Sequence, residues 1–509
     1  MQLGIQTSNG LVRILKERRE VIMVPHQPSK ATISLSFLIL LLEAIFSFTS
    51  TKCFEKQGGS HRLVLGLSRS QTHIFLPKAS AQSTKRPAAA TSDISEPLRE
   101  ARDGYLVSLS IGTPQQVIQV YLDTGSDLTW APCGNLSFEC IDCDDYRSSK
   151  LYTAFSPSLS SSSSRDTCTS LLCMDVHSSE NPYDPCIMAG CSLNSALKGT
   201  CARPCPSFAY TYGAGGLIVG TLTLDTLRVH GSSTGVIREI PKFTFGCVSS
   251  TYHEPTGIAG FGKGPLSLPS QLGFLHKGFS HCFLAFKYAN NPNISSPLVI
   301  GDTAIALDDD GHMQLTPMLQ SPMYPNYYYI GLEAMTIGNL SALHVPQNLR
   351  EFDYEGNGGL LVDSGTTYTH LPEPFYSELL STLELLIRYP RATEHEQMTG
   401  FDLCYSIRAP NNTLVDDLLP SITFHFLNNV SLVLPKGNNF YAMGAPSNST
   451  VVKCLLYQSM DDGDYGPGGV FGSFQQQNVL VVYDLQKKRM GFQATDCASV
   501  AIAQGLQKH

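Results

Sequence analysis

The 509-residue chain is poor in helical periodicity, carries a single Trp, at position 130, and has one long apolar run. No basic patch or stripe occurs, which argues against nucleic acid as a partner. None of its 14 His residues stands with a Ser or Cys in a nucleophile signature, so a Ser or Cys hydrolase is not expected. The C-I-D-C string at 140–143 lacks the His-plus-Cys spacing that would complete a zinc site, and neither metal nor cofactor is expected. What remains is a chain of short apolar runs, turns, carboxylates and cysteines.

The long apolar run spans 31–48, interrupted by Glu43, and follows Arg13, Lys16, Arg18, Arg19 and Lys30. Residues 1–50 therefore read as the basic and apolar regions of a cleaved secretory signal. That implies an extracellular, apoplastic or vacuolar destination. The alternatives are an uncleaved anchor, with membrane association only in that case, and a plastid transit peptide. Residues 51–103 carry nine basic and five acidic side chains with little periodicity, the composition of a prosegment or linker. From Gly104 onward there are 21 Lys or Arg and 35 Asp or Glu, a formal charge of 21 − 35 = −14. A basic leader over an acidic body would be held partly by charge and released as carboxylates protonate; the bland alternative is a spacer.

Fourteen of the 15 Cys lie beyond residue 103, and nine of them crowd the stretch 133–205. In an exported chain this density reads as a disulfide framework, with the pairing left open. Six N-x-[ST] sequons, at Asn135, Asn293, Asn339, Asn411, Asn429 and Asn448, suit glycosylated surface loops.

The body from Gly104 to Cys497 is about 394 residues, more than one core usually organises. Its runs, such as Y-L-V-S-L-S-I, K-F-T-F-G, S-I-T-F-H-F and V-L-V-V-Y-D-L, are separated by Gly, Pro, Asn and Ser turns, which predicts an all-β fold of two lobes. The expected division is a first lobe over 104–316 containing the Cys-rich insertion, a second over 317–500, and a tail over 501–509. One stretch, 374–387, has an amphipathic helical pattern opening after a proline.

Two strings echo each other across 240 positions: V-Y-L-D-T-G-S at 120–126 and L-L-V-D-S-G-T at 360–366. Each is an apolar strand signal ending in Asp, a small hydroxyl residue, Gly and a second hydroxyl residue. A strand-like opening precedes each (104–111 and 326–337). An apolar-apolar-Gly string follows each, at Ile258, Ala259, Gly260 and at Val470, Phe471, Gly472. One β unit repeated about an approximate two-fold axis would bring Asp123 and Asp363 face to face. Two close carboxylates cannot both ionise, so one proton is shared and the pair offers base and acid together. One would take a proton from a water between them while the other donates to the carbonyl under attack. Gly125 and Gly365 would let backbone approach the carboxylates, Ser126 and Thr366 would hydrogen-bond their outer oxygens, and Thr124 and Ser364 could bond across the axis.

With these residues on the page, the chain resembles the pepsin-like aspartic proteases, most closely their plant nepenthesin-like branch with a Cys-rich insertion. The resemblance covers roughly 104–497. It is carried by I-G-T-P-Q-Q at 111–116, L-D-T-G-S-D-L-T-W at 122–130, Y-T-Y-G at 210–213, G-I-A-G-F-G-K-G-P-L-S-L-P-S-Q-L at 257–272, V-D-S-G-T-T at 362–367 and G-S-F-Q-Q-Q-N at 472–478. It implies a bilobal β fold, a cleft between lobes, a monomer, a self-processed zymogen and acid endopeptidase activity on polypeptides, sensitive to pepstatin. It further implies that Tyr212 and Gly213 lie on a hairpin flap over the substrate, with Trp130 hydrogen-bonding behind Tyr212. Two departures stand out: the flap reads Tyr212, Gly213, Ala214, Gly215, Gly216, without the two polar side chains many relatives carry, and Phe474 replaces a frequent Tyr.

Two other classes deserve weight. Some relatives keep this fold as non-catalytic inhibitors or binding proteins of glycan-degrading enzymes, but lose a catalytic motif, whereas both motifs here are intact. Paired carboxylates also serve glycosidases, where they stand further apart or in unlike environments.

Overall fold

The computed structural model describes residues 62–69 and 104–506, except 135–136, 144–151, 179–183, 214, 231–236, 289–290, 292, 302–303, 305–311, 409–413, 448–449 and 461–465. The expected signal segment and most of the 51–103 leader lie outside these residues, as do the sequons at Asn135, Asn411 and Asn448. The other three sequon asparagines, Asn293, Asn339 and Asn429, are exposed.

The architecture is mostly β, as the alternating runs predicted. The largest sheet has 15 strands and runs from the second half of the chain into the first. Its centre follows the order Val479–Asp484, Phe279–Cys282, Ser296–Gly301, Arg62–Arg69, Tyr105–Ile111, Gln116–Asp123 and Gly257–Gly260. Four of these strands are covered on both faces: Phe279–Cys282, Ser296–Gly301, Gly257–Gly260 and Val479–Asp484 are buried at every position.

The leader contributes one strand that its overall composition did not announce. Arg62–Arg69 pairs antiparallel with Ser296–Gly301, from Arg62 opposite Gly301 to Leu67 opposite Ser296, and its end pairs with Tyr105–Ile111. Its alternating R-L-V-L-G-L-S-R pattern is too short to stand alone, and neighbours on both edges satisfy its backbone groups.

The internal repeat is real in the backbone. In the first half, Gln116–Asp123 pairs antiparallel with Tyr105–Ile111 and parallel with Gly257–Gly260, putting Gly260 beside Asp123. In the second half, Leu360–Val362 pairs antiparallel with Tyr329–Ile330 and parallel with Gly469–Phe471, putting Phe471 beside Val362. The flanking strand is repeated too: Trp130 pairs antiparallel with Ile258, and His370 with Val470. Each apolar-apolar-Gly string is therefore the strand that clamps its Asp strand.

Helix Phe375–Leu386 opens after Pro374 and buries Phe375, Tyr376, Leu379 and Leu383, a stripe with the 3–4 residue spacing seen in the sequence. Every Cys beyond residue 103 is paired: Cys133–Cys247, Cys140–Cys143, Cys168–Cys186, Cys173–Cys205, Cys191–Cys201, Cys282–Cys497 and Cys404–Cys454. Three of these, Cys168–Cys186, Cys173–Cys205 and Cys191–Cys201, brace the short helices Leu171–Ser178, Pro185–Met188 and Leu193–Leu197 of the insertion. No described helix is long and apolar enough to cross a membrane.

Candidate active site

Asp123 closes strand Gln116–Asp123, and Asp363 directly follows Leu360–Val362. Both are buried, at 4% and 9% exposure, which is unusual for carboxylates and requires partners. The partners are local and match across the repeat. The backbone N–H of Gly125 donates to Asp123 Oδ1 at 2.9 Å, and that of Gly365 to Asp363 Oδ1 at 2.8 Å. The hydroxyl of Ser126 donates to Asp123 Oδ2, and that of Thr366 to Asp363 Oδ2 at 2.5 Å.

The two motifs also bond to each other. Thr124 Oγ1 donates to the Val362 carbonyl at 3.0 Å, and Ser364 Oγ donates to the Leu122 carbonyl at 3.0 Å. In return each hydroxyl accepts the other residue's backbone N–H, at 3.0 and 2.9 Å. This is the cross-axis bonding the small hydroxyl residues suggested. Gly125 and Gly365 show how near the carboxylates are: a Cβ on Gly125 would lie 2.6 Å from Asp363 Cγ, and one on Gly365 would lie 2.6 Å from Asp123 Cγ. Each carboxylate thus rests against the other motif's glycine.

Behind the motifs, the Phe261 N–H donates to the Asp123 carbonyl at 2.7 Å, and the Asp363 N–H to the Phe471 carbonyl at 3.2 Å. The Q-Q-Q run at 475–477 is buried here. Gln476 Nε2 donates to the carbonyls of Phe471 and Asp363, while Gln475 bridges Thr369 to Asn438 and Leu456. Sequence marked this run as part of a motif without a role for its amides; three consecutive Gln beside a Gly-rich turn were the only signal.

The predicted flap is a hairpin of strands Phe208–Thr211 and Leu217–His230. Its turn is closed by Tyr212 N–H to the Gly216 carbonyl at 2.8 Å and by Gly215 N–H to the Tyr212 carbonyl at 2.9 Å. Tyr212 is buried, and its phenol oxygen accepts from Trp130 Nε1 at 2.7 Å. Gly213, next to it, is exposed, and a side chain there would meet nothing within 4 Å. Cys173 and Val176 of the braced insertion pack into the same apolar cluster as Trp130 and Tyr212, so the Cys-rich insertion backs the flap.

Sequence reasoning passed over Asp127, although it stands in the D-T-G-S-D string. Its carboxylate is buried and accepts from the Gly264 N–H at 2.7 Å and from Asn326 Nδ2 at 2.7 Å. Burial pushes this carboxyl up to about 6, against the opposing pull of those two donors.

Residues 105–302 match the protein family described as Xylanase inhibitor N-terminal, and residues 327–494 the one described as Xylanase inhibitor C-terminal. Among curated relatives, a probable aspartyl protease of Arabidopsis thaliana is 35% identical over 444 residues, covering 80% of this chain and 85% of that one. The aspartic proteinase nepenthesin-1 of Nepenthes gracilis is 31% identical, covering 78% and 79% of the two chains. Among solved structures, conglutin gamma from lupine seeds superposes with a TM-score of 0.58 at 17% identity, covering 87% of this chain and 99% of that one, a likeness of fold alone. With both Asp motifs paired as the repeat predicted, the chain belongs to the pepsin-like aspartic protease family, in the plant group that includes the nepenthesins and the xylanase-inhibitor-like proteins.

Proposed function

We propose that the protein is an aspartic endopeptidase that hydrolyses peptide bonds in extended polypeptide at acid pH. The observation that supports this most is the reciprocal bonding of Thr124 and Ser364, which holds Asp123 and Asp363 against each other's glycine. Two carboxylates so placed share a proton, because ionising both would set like charges together in a buried site. Each carboxylate has one oxygen bound by an outer hydroxyl and one bound by a backbone N–H, so the pair starts from nearly equal environments. The ionised member takes a proton from water, the hydroxide equivalent adds to the peptide carbonyl, and the protonated member donates to the carbonyl oxygen. As the tetrahedral intermediate collapses, the carboxyl that took the water's proton gives it to the departing amine and the other carboxylate takes a proton from a hydroxyl of the intermediate, so the dyad again holds one proton. Tyr212 and Gly213 cover the cleft as a flap, and the substrate backbone lies along strand edges.

The leader strand Arg62–Arg69 fits a zymogen: it is continuous with the basic prosegment and inserted between strands of the body. A secretory route to the apoplast or vacuole accords with fourteen paired cysteines in the body.

The second reading is a non-catalytic inhibitor or binding protein of glycan-degrading enzymes, favoured by the descriptions of the two matching families. One experiment separates the two. Cleavage of denatured protein at pH 3–5 by the refolded full chain, blocked by pepstatin and lost in Asp123→Asn and Asp363→Asn, supports the protease. Equal cleavage in the substituted chains overturns the dyad; no cleavage by the wild type favours the binding protein.

A further inference from the structure

The flap turn ends at Gly216, and the strand it feeds is paired from its first residue, with Leu217 opposite Tyr252 of strand Ile237–Tyr252. Beyond Tyr252 the chain turns a corner. His253 takes a left-handed backbone, φ 61°, and its N–H donates to the Ile141 carbonyl at 3.1 Å. Strand Glu139–Ile141, which supplies that carbonyl, runs parallel to Ile237–Tyr252 and carries Cys140 of the Cys140–Cys143 disulfide. Thr251 Oγ1 donates to Cys140 Sγ at 3.0 Å. The C-I-D-C string thus braces the corner at His253.

Glu254 follows that corner, and Pro255 after it disfavours a helical backbone at Glu254. The Glu254 side chain lies back against the flap. A Cβ on Gly216 would stand 2.8 Å from Glu254 Cγ and Cδ and would overlap Oε1. Glu254 is only 3% exposed, and Gly216 is buried. Glutamate is almost never so buried without partners, because the cost of desolvating it must be offset. The backbone it rests on is the one that closes the flap: the Gly216 carbonyl accepts the Tyr212 N–H at 2.8 Å, and the Tyr212 phenol accepts from Trp130. The turn itself offers only Gly213, Ala214, Gly215 and Gly216, so the carboxyl that meets it comes from outside the hairpin.

Resting on the hydrolytic reading above, we infer that Glu254 is a positioning residue for the flap, which props Gly216 from outside the hairpin and through it holds Tyr212. It stands in for the polar side chains the turn lacks. Gly216 is required for the same reason, since any side chain there takes the space that the Glu254 carboxyl fills. The flap then rests in one place before substrate arrives, and less of the binding energy goes into ordering it.

The test is a double-mutant cycle of Glu254→Ala and Gly216→Ala in the full chain, read by peptide hydrolysis and by the emission of Trp130. Ala at 254 removes the three atoms that crowd Gly216 most closely. Glu254→Ala is expected to raise KM about fivefold while kcat stays within about twofold, a split that a merely structural role would not produce. Gly216→Ala should lower kcat/KM about tenfold in the wild-type background and less than about threefold in Glu254→Ala. Trp130 emission should move with Gly216→Ala alone, and far less when Gly216→Ala is added to Glu254→Ala. Unchanged KM in Glu254→Ala, or an equal cost of Gly216→Ala in both backgrounds, overturns the inference. If Glu254→Ala does not fold, Glu254→Asp, one methylene shorter, takes its place in the cycle with the same expected sign. If the wild type cuts no peptide, the hydrolytic reading fails by itself. Hydrogen exchange over 208–219 then reads the prop: faster exchange in Glu254→Ala supports it, and unchanged exchange overturns it.

Discussion

Thr124 and Ser364, 240 residues apart, hold each other by four hydrogen bonds, each hydroxyl donating to the carbonyl before the other's Asp and accepting the other's backbone N–H. The spacing of the two carboxylates is therefore set by small residues beside them and not by the carboxylates themselves. Thr124→Val keeps the shape and removes the hydroxyl, leaving a buried carbonyl and a buried N–H without partners. The expected cost is about 2–4 kcal/mol of stability, with kcat reduced more than KM is changed. Thr124→Ser should retain most of both. Urea denaturation and steady-state kinetics on the three proteins check this.

The glycines of the two motifs should be far less tolerant than the glycine of the flap. A methyl group at Gly125 or Gly365 would stand 2.6 Å from the opposite carboxylate carbon, so Gly125→Ala and Gly365→Ala should push the pair apart and cost at least a hundredfold in kcat. At Gly213 a methyl meets nothing within 4 Å, so Gly213→Ala should keep folding and leave kcat within a few-fold of wild type. Comparable losses at all three positions would contradict the close approach.

Two buried titrating groups should tilt the stability of the fold with pH in opposite directions. Burial holds the Asp127 carboxyl at about 6, above its value in the unfolded chain, so the native state binds a proton the unfolded chain releases. That contribution is full below about pH 4 and is lost as pH rises through 6, a difference of roughly 3 kcal/mol. His281 is fully buried, stacked on Phe283 at 3.9 Å, and burial pushes it down to about 3. Its contribution is full above about pH 6.5 and is lost as pH falls toward 3, again by roughly 3 kcal/mol between pH 6.5 and 4. His281→Phe should therefore gain stability at pH 4 relative to pH 7, and Asp127→Asn should lose it. Urea midpoints at the two pH values measure both.

The flap and the single Trp offer a direct optical test. Tyr212→Phe removes the acceptor of Trp130 Nε1–H in a buried cluster, with an expected cost of about 1–3 kcal/mol. Trp130 emission should shift, and it should shift again when pepstatin closes the flap on the wild type. If emission is the same in wild type and Tyr212→Phe, the bond is not formed in solution.

Sequence alone determined the features that are local or repeated. Alternating apolar runs announced the strands, because the side-chain period of two is written into each strand separately. The stripe at 374–387 announced helix Phe375–Leu386 for the same reason at the helical period. Asp123 and Asp363 were legible because the same unit is written twice, and a repeated unit with one special residue per copy implies a shared site. Tertiary structure decided what depends on which distant segments meet. The pairing of the cysteines, such as Cys282 with Cys497 across 215 residues, is one such case. The seating of Arg62–Arg69 between Ser296–Gly301 and Tyr105–Ile111 is another, since a strand's neighbours are not encoded in its own pattern. Asp127 is the plainest: in sequence it is one more polar residue after a motif, and only burial beside Gly264 and Asn326 changes its proton affinity and gives it a partner to hold. Desolvation and hydrogen-bond direction belong to the folded neighbourhood, and no spacing along the chain carries them.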